Sequence, residues 1–130
     1  MDYKKSLEDI EKALTELQEE NKNIPILVEG DKDIEALYKL NIKGTILSVN
    51  KGISLTNFCD NLAQDYKEII ILTDWDRKGG HLCHKITKNL EGRVNCNTKF
   101  RELFARYTMI RTVEGLPSWI DTIKKRILFG

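Results

Sequence analysis

Four carboxylates, Glu29, Asp33, Asp74 and Asp76, follow or flank two apolar, β-forming runs, in Ile26-Leu-Val-Glu-Gly-Asp-Lys-Asp33 and Ile69-Ile-Ile-Leu-Thr-Asp-Trp-Asp76. A strand that ends in a carboxylate delivers it to the carboxyl edge of a parallel sheet, where open α/β folds bind their ligands. Two such edges side by side make an acidic pocket suited to a hard cation. Residues two apart in an extended chain point to the same side, so Asp74 and Asp76 are expected to converge while Trp75 faces away. Carboxylates held that close repel each other, and a cation between them removes the penalty. Oxygen donors suit Mg²⁺ or Mn²⁺, and Mg²⁺ commonly takes one or two carboxylates together with water and substrate phosphate.

Glu29 ends a different run and approaches the Asp pair from the side, which makes it the candidate for proton transfer. Asp33 lies one helical turn further on, placed to orient water on the metal or to join its ligands. Gly30, Gly79 and Gly80 lack side chains that would keep a phosphate from backbone amides and a helix N-terminus. Arg77, Lys78, His81, His84, Lys85 and Lys88 follow the Asp pair and put positive charge beside the acidic pocket. This pairing suits a phosphodiester: metal polarises the phosphate and activates water, while basic groups hold the flanking backbone.

Plainer roles stand beside these. Asp33 also suits a helix cap, and Glu29 an ion pair with Lys51 or Arg77. His81, Cys83, His84 and Cys96 match no zinc-ligand spacing. Trp75 is expected to pack against a neighbouring helix, with base stacking as the alternative. Phe100, Leu103, Phe104 and Tyr107 recur as a core-facing stripe, and Lys124-Lys-Arg126 reads as a solvated helix face, with an RNA contact as the alternative.

The elements that must position the carboxylates alternate. Leu7, Ile10, Leu14 and Leu17 mark an amphipathic helix from Ser6 to about Glu20. Pro25 opens the first apolar strand, and a helix capped by Asp31 runs to Leu40. Thr45–Val49 reads as a second strand, Asn50-Lys-Gly52 as a turn, and Ser54 to about Tyr66 as a helix. Ile69–Leu72 is the expected central strand, followed by a helix from Arg77 to about Leu90 that Gly92 ends. Beyond it come a short strand near Arg93-Val94, a helix over Lys99–Tyr107, a strand-like Met109–Val113 and a last helix from Ser118 to Phe129. Alternation of this kind predicts an α/β fold with a parallel sheet covered on both faces. The doublet Val28-Glu-Gly30 and Val113-Glu-Gly115 is too short to count as a repeat.

At 130 residues the chain is expected to form one domain over 1–130, with an N-terminal helix (1–23), a motif-bearing core (25–92) and a completing segment (93–130). Apolar residues make up 41% and charged residues 32%, as in ordinary globular proteins. With 21 basic and 20 acidic residues the formal net charge is +1, so a polyanion must be held by local clusters rather than by a global field. Three cysteines without paired spacing, no signal segment and no run of bilayer length point to the cytoplasm and away from membranes.

Val28-Glu-Gly-Asp-Lys-Asp33 resembles the first motif of the Toprim family, an apolar strand followed by Glu-Gly and Asp. Ile70-Ile-Leu-Thr-Asp-Trp-Asp-Arg-Lys-Gly79 resembles the second, a strand ending Asp-x-Asp with Gly soon after, and Val49-Asn-Lys-Gly52 resembles the Gly turn between them. The likeness runs from about Pro25 to Gly92. Toprim domains occur in topoisomerases, primases, recombination proteins, overcoming-lysogenization-type nucleases and the bacterial maturase of 5S ribosomal RNA. The small size and the Gly-Leu-Pro-Ser-Trp119 segment look most like the stand-alone archaeal members, whose nearest mechanistic relatives are the maturases.

The resemblance implies a Rossmann-like Toprim fold with about four central parallel strands and helices on both faces. It implies Glu29 as general acid or base, and Asp74 and Asp76, with Asp33 beside them, as ligands of Mg²⁺ or Mn²⁺. Gly30, Lys51, Gly52, Arg77, Lys78, Gly79, Gly80 and His81 would then contact nucleic-acid phosphate. The expected activity is metal-dependent cleavage of nucleic acid, RNA ahead of DNA, with ribosomal RNA or the ribosome as the partner. The alternatives are a non-catalytic nucleic-acid or ribosome-binding module carrying the same metal site, and a primase-like nucleotidyl transferase.

Overall fold

In the computed structural model, residues 2–49 and 52–130 are described; the expected turn at Asn50 and the phosphate contact assigned to Lys51 lie outside them. Four strands, β1 (Ile26–Val28), β2 (Ile46–Ser48), β3 (Glu68–Ile71) and β4 (Asn95–Asn97), alternate with helices. The helices are α1 (Tyr3–Asn21), α2 (Asp31–Lys39), α3 (Leu55–Asp65), α4 (Arg77–Leu90), α5 (Lys99–Tyr107) and α6 (Leu116–Phe129). All strand pairs are parallel, in the order β2-β1-β3-β4. The expected α/β architecture is therefore the observed one.

Residue alternation along the central strands divides the core in two. Ile26, Val28, Ile70 and Leu72 pack with Ile10, Leu14, Leu17, Leu37, Phe100, Phe104 and Ile120 from α1, α2, α5 and α6. Leu27, Ile69 and Ile71 face the other way, against Phe58, Cys59 and Leu62 of α3 and Cys83, Ile86 and Leu90 of α4. Ile26, Leu27, Ile70 and Ile71 are fully buried. A strand buried on both faces must be apolar throughout, which explains why these two runs stand out in the sequence.

Several boundaries differ from expectation for identifiable reasons. Helix α1 begins at Tyr3 because Asp2 accepts the Lys5 N–H at 3.1 Å, so Ser6 is interior. The last strand lies two residues past Arg93-Val94, which instead close the turn after α4 with N–H bonds to the Leu90 carbonyl. Gly92 takes the left-handed conformation there, with φ of 80°. The strand-like 109–113 stretch joins no sheet, bends at Met109 and Val113, and runs as a strap against the loop that leaves β3.

The strand order reverses between β1 and β3: the chain passes from β1 to one neighbour, β2, and then returns to the other side. The carboxyl ends at such a switch point splay apart and leave a crevice. Glu29 follows one of these two strands and Asp74 the other.

Candidate metal centre

Glu29 and Asp74 are joined directly across the switch point. The Asp74 amide donates to Glu29 Oε2 at 2.8 Å, a charge-assisted bond that fixes one Glu29 oxygen. Asp74 itself is held at three more points. Its Oδ1 accepts the Val113 N–H at 2.9 Å, and its carbonyl accepts Arg101 Nε and Nη2 at 3.1 and 2.8 Å. A carboxylate thus stands in for a ladder carbonyl at the strap, and a guanidinium from α5 grips the backbone behind it.

Trp75 locks the same turn. Its amide donates to the Arg111 carbonyl at 2.9 Å and its indole N–H to the Ile110 carbonyl at 2.7 Å. The ring packs on Phe104 with centroids 5.7 Å apart. The aromatic therefore serves the core and the strap, in accord with the packing expectation.

Asp74 and Asp76 do not lie in a strand, because β3 ends at Ile71 and the chain turns before α4. Asp76 is the N-cap of α4, its Oδ1 accepting the Gly79 N–H at 2.7 Å. Its proximity to Asp74 persists electrostatically, since its charge is among those that raise the Asp74 carboxyl. The Gly79 and Gly80 amides both bond Asp76, the first to its side chain and the second to its carbonyl. The space that Gly79 leaves is filled from within: a Cβ there would lie 1.9 Å from the Asp74 carbonyl oxygen, and one on Gly80 3.3 Å from Arg101 Nη2. These glycines clear room for the Asp74–Arg101 contact. The exposed Arg77, Lys78 and His81 begin the outward face of α4, whereas Cys83 is buried on its opposite face.

Asp33 is buried, at 8% exposure, and its Oδ2 accepts the Gly30 N–H at 3.1 Å, closing the entry to α2. It is cap and cleft wall at once. Glu29, Asp33, Asp74, Lys78, Leu82, Val49 and Glu114 line an open cleft of about 440 Å³ with Gly30, Asp31 and Lys32. Glu114 was not among the residues singled out by sequence. The signal was present in Val113-Glu-Gly115, an apolar residue, Glu and Gly at a helix entry, the same arrangement as Val28-Glu-Gly30. Arg101 carried no such mark, because one basic residue on an amphipathic helix looks like any other. Among the described residues Glu29 forms no ion pair; its partner is an amide.

Crowding of like charge shapes the protonation of the site. Burial chiefly, then the charges of Glu29, Asp33 and Asp76, lift the Asp74 carboxyl from 3.8 to about 7, against the pull of the Val113 N–H. Asp33 is raised as well, first by burial and then by Glu29 and Glu114, while the Gly30 N–H opposes. An oxygen-only donor set whose charges are mutually destabilising fits a hard divalent cation. Among the described residues no three His, Cys, Asp or Glu side chains are grouped so that they could hold a metal ion by themselves. An ion held here would keep much of its water, the habit of Mg²⁺.

Comparison with known proteins bears on the family and the fold. The Toprim domain model matches residues 24–106. The chain is 41% identical over 99 residues to a UPF0292 protein of Thermoplasma volcanium, covering 75% of this chain and 83% of that one. It is 37% identical over 122 residues to a UPF0292 protein of Methanocaldococcus jannaschii, covering 92% of each. A solved structure from Aquifex aeolicus shares the fold, with a TM-score of 0.69 and 24% identity over 79% of this chain and 94% of that one.

Proposed function

The chain belongs to the Toprim domain family, and to its small UPF0292 members, and from this premise we propose that it is a divalent-cation-dependent phosphodiesterase that cuts RNA. Family membership itself carries a metal-binding, nucleic-acid-associated role. The observation that supports cleavage most is the bond from the Asp74 amide to Glu29 at the switch point, 2.8 Å long. It sets a proton-transfer group and a metal-ligand candidate side by side in a cleft open to a polymer.

Asp74 and Asp76, with Asp33 beside them, would hold Mg²⁺ or Mn²⁺. When bound, such an ion stabilises charge on a phosphate oxygen and activates water. Glu29, with one oxygen held by the Asp74 amide, has a fixed orientation in which to take a proton from the attacking oxygen or give one to the leaving oxygen. Lys78 lines the cleft and Arg77 and His81 stand exposed next to it, where they would bind flanking phosphates and displace counterions. The motif resemblance to the ribosomal RNA maturases is what supports choosing RNA ahead of DNA in this reading. The cytoplasm suits this substrate and the free Cys59, Cys83 and Cys96, and among the described residues no helix is long and apolar enough to cross a membrane.

A second reading draws on the open donor set and on the Asp76 oxygen already engaged by Gly79. It is a nucleic-acid or ribosome-binding module whose acidic site holds metal without turnover. The deciding experiment incubates end-labelled structured RNA and matched DNA with the protein in Mg²⁺, in Mn²⁺ and in chelator, with Glu29→Gln in parallel. Gln retains an oxygen for the Asp74 amide, so the fold should survive while cleavage is lost. Cleavage that persists in Glu29→Gln would sink the proposed role of Glu29; intact polymer bound by the wild type would favour the binding module.

A further inference from the structure

The carboxylate corner has an unusual cation behind it. Arg101 turns two donors of its guanidinium onto the carbonyl of Asp74, at 3.1 and 2.8 Å, rather than onto any of the carboxylates in the cleft. A fork of this shape ordinarily seeks a carboxylate. Bonded to one here, it would occupy the oxygens that a divalent cation needs. Bonded to the carbonyl, it anchors the residue and adds positive charge near the crowded acids while leaving the Asp74 carboxylate to the Val113 N–H and the cleft.

Two further features are built around this contact. Gly79 and Gly80 provide its clearance, the first for the Asp74 carbonyl and the second for Arg101 Nη2. The residue next along, Trp75, is held by Ile110 and Arg111 of the strap that follows α5. The segment beyond the two sequence motifs thus grips the second motif from behind.

We propose that Arg101 is a positioning residue of the metal centre, holding the Asp74 peptide so that its carboxylate and the Glu29-bound amide keep the arrangement that receives a divalent cation. The inference rests on the metal-dependent reading above. Residues that orient a ligand without touching the metal commonly contribute 10- to 100-fold in affinity or activity.

The test compares wild type, Arg101→Ala and Arg101→Lys by two measurements. Calorimetric titration with Mn²⁺ alone should show affinity about tenfold weaker or worse in Arg101→Ala. Arg101→Lys, which keeps the charge but loses the fork, should recover only part of it. Guanidinium ion at low millimolar concentration should restore Mn²⁺ binding to Arg101→Ala, which a general loss of packing would not permit. Without metal, amide hydrogen exchange of Asp74 and Val113 should quicken about tenfold or more in Arg101→Ala while that of Ile70 and Leu72 in the core is unchanged. Equal Mn²⁺ affinity in wild type and Arg101→Ala, or unaltered exchange at Asp74 and Val113, overturns the positioning role. A wild type that binds no Mn²⁺ counts against the metal-dependent reading instead, and the exchange measurement then decides the role of Arg101 by itself.

Discussion

Replacing Asp74 by Asn should make the metal-free protein more stable at alkaline pH, although removing a half-buried hydrogen-bonding charge usually does the reverse. Asn keeps the volume and an oxygen to accept the Val113 N–H, whose present distance is 2.9 Å. It sheds the charge opposed by burial and by Glu29, Asp33 and Asp76. The unfolded chain loses this proton near pH 3.8, whereas the folded chain keeps it to about 7. The folded state is therefore favoured by this group at low pH, and the advantage is lost as pH rises through the folded value. A rise of roughly three pH units at about 1.4 kcal/mol each sets a ceiling of about 4 kcal/mol. The carboxyl keeps some contact with water and its titration is linked to the charges of its acidic neighbours, which leaves about 1–2 kcal/mol. With a urea slope of about 1.5 kcal/mol per molar, the variant's midpoint should rise by about 1 M. Urea titrations followed by circular dichroism, in chelator and low salt, should show this gap at pH 8 and its near closure at pH 4.5. Millimolar Mg²⁺ or Mn²⁺ at pH 8 should raise the wild-type midpoint and barely move that of the variant. Coincident midpoints at pH 8, or a less stable variant, would refute the reasoning that like-charge crowding dominates this corner.

Other substitutions separate architecture from chemistry. Gly79→Ala should cost about 3 kcal/mol or more, because its Cβ would meet the Asp74 carbonyl oxygen at 1.9 Å and neither backbone can yield cheaply; urea midpoints measure it. Gly30→Ala has open space and extended backbone, so its effect on stability should stay within about 1 kcal/mol. Trp75→Phe removes the indole bond to Ile110, now 2.7 Å, and leaves that carbonyl to the Thr108 hydroxyl at 3.2 Å; a loss of about 1 kcal/mol is expected in the same assay. Arg77→Ala with Lys78→Ala should weaken RNA binding and lower the slope of log affinity against log salt by about one to two, read from filter-binding isotherms at several salt concentrations. An unchanged slope would remove those two side chains from the phosphate contacts.

Much of this protein was legible in its residues. Ile26–Val28 and Ile69–Ile71 are apolar at every position because both faces of the two central strands are covered, and that pattern survives without knowledge of any contact. Helix α4 was readable at its far end from Gly92, since left-handed turns are chosen by local geometry, whereas Asp76 was read as a metal ligand and its role as the N-cap of α4 emerged only from the structure. Glu29 and Asp74 were identifiable because the register of a parallel sheet brings the ends of adjacent strands to one edge. Their direct bond, however, required the strand order that makes those two strands neighbours. The strap over 109–113 looked like a strand, having the right residues for extended backbone, but whether extended backbone enters a sheet depends on a partner far away in sequence. Arg101 was invisible for the same reason: its meaning lies in a carbonyl 27 residues earlier, and only the packing of α5 against the sheet brings the two together. Residue types and local spacing determined which groups are candidates for the chemistry and which segments bear them. The tertiary structure decided which of those groups meet, which oxygens remain available, and what holds them in place, because each of these depends on distances between segments that the chain itself does not set.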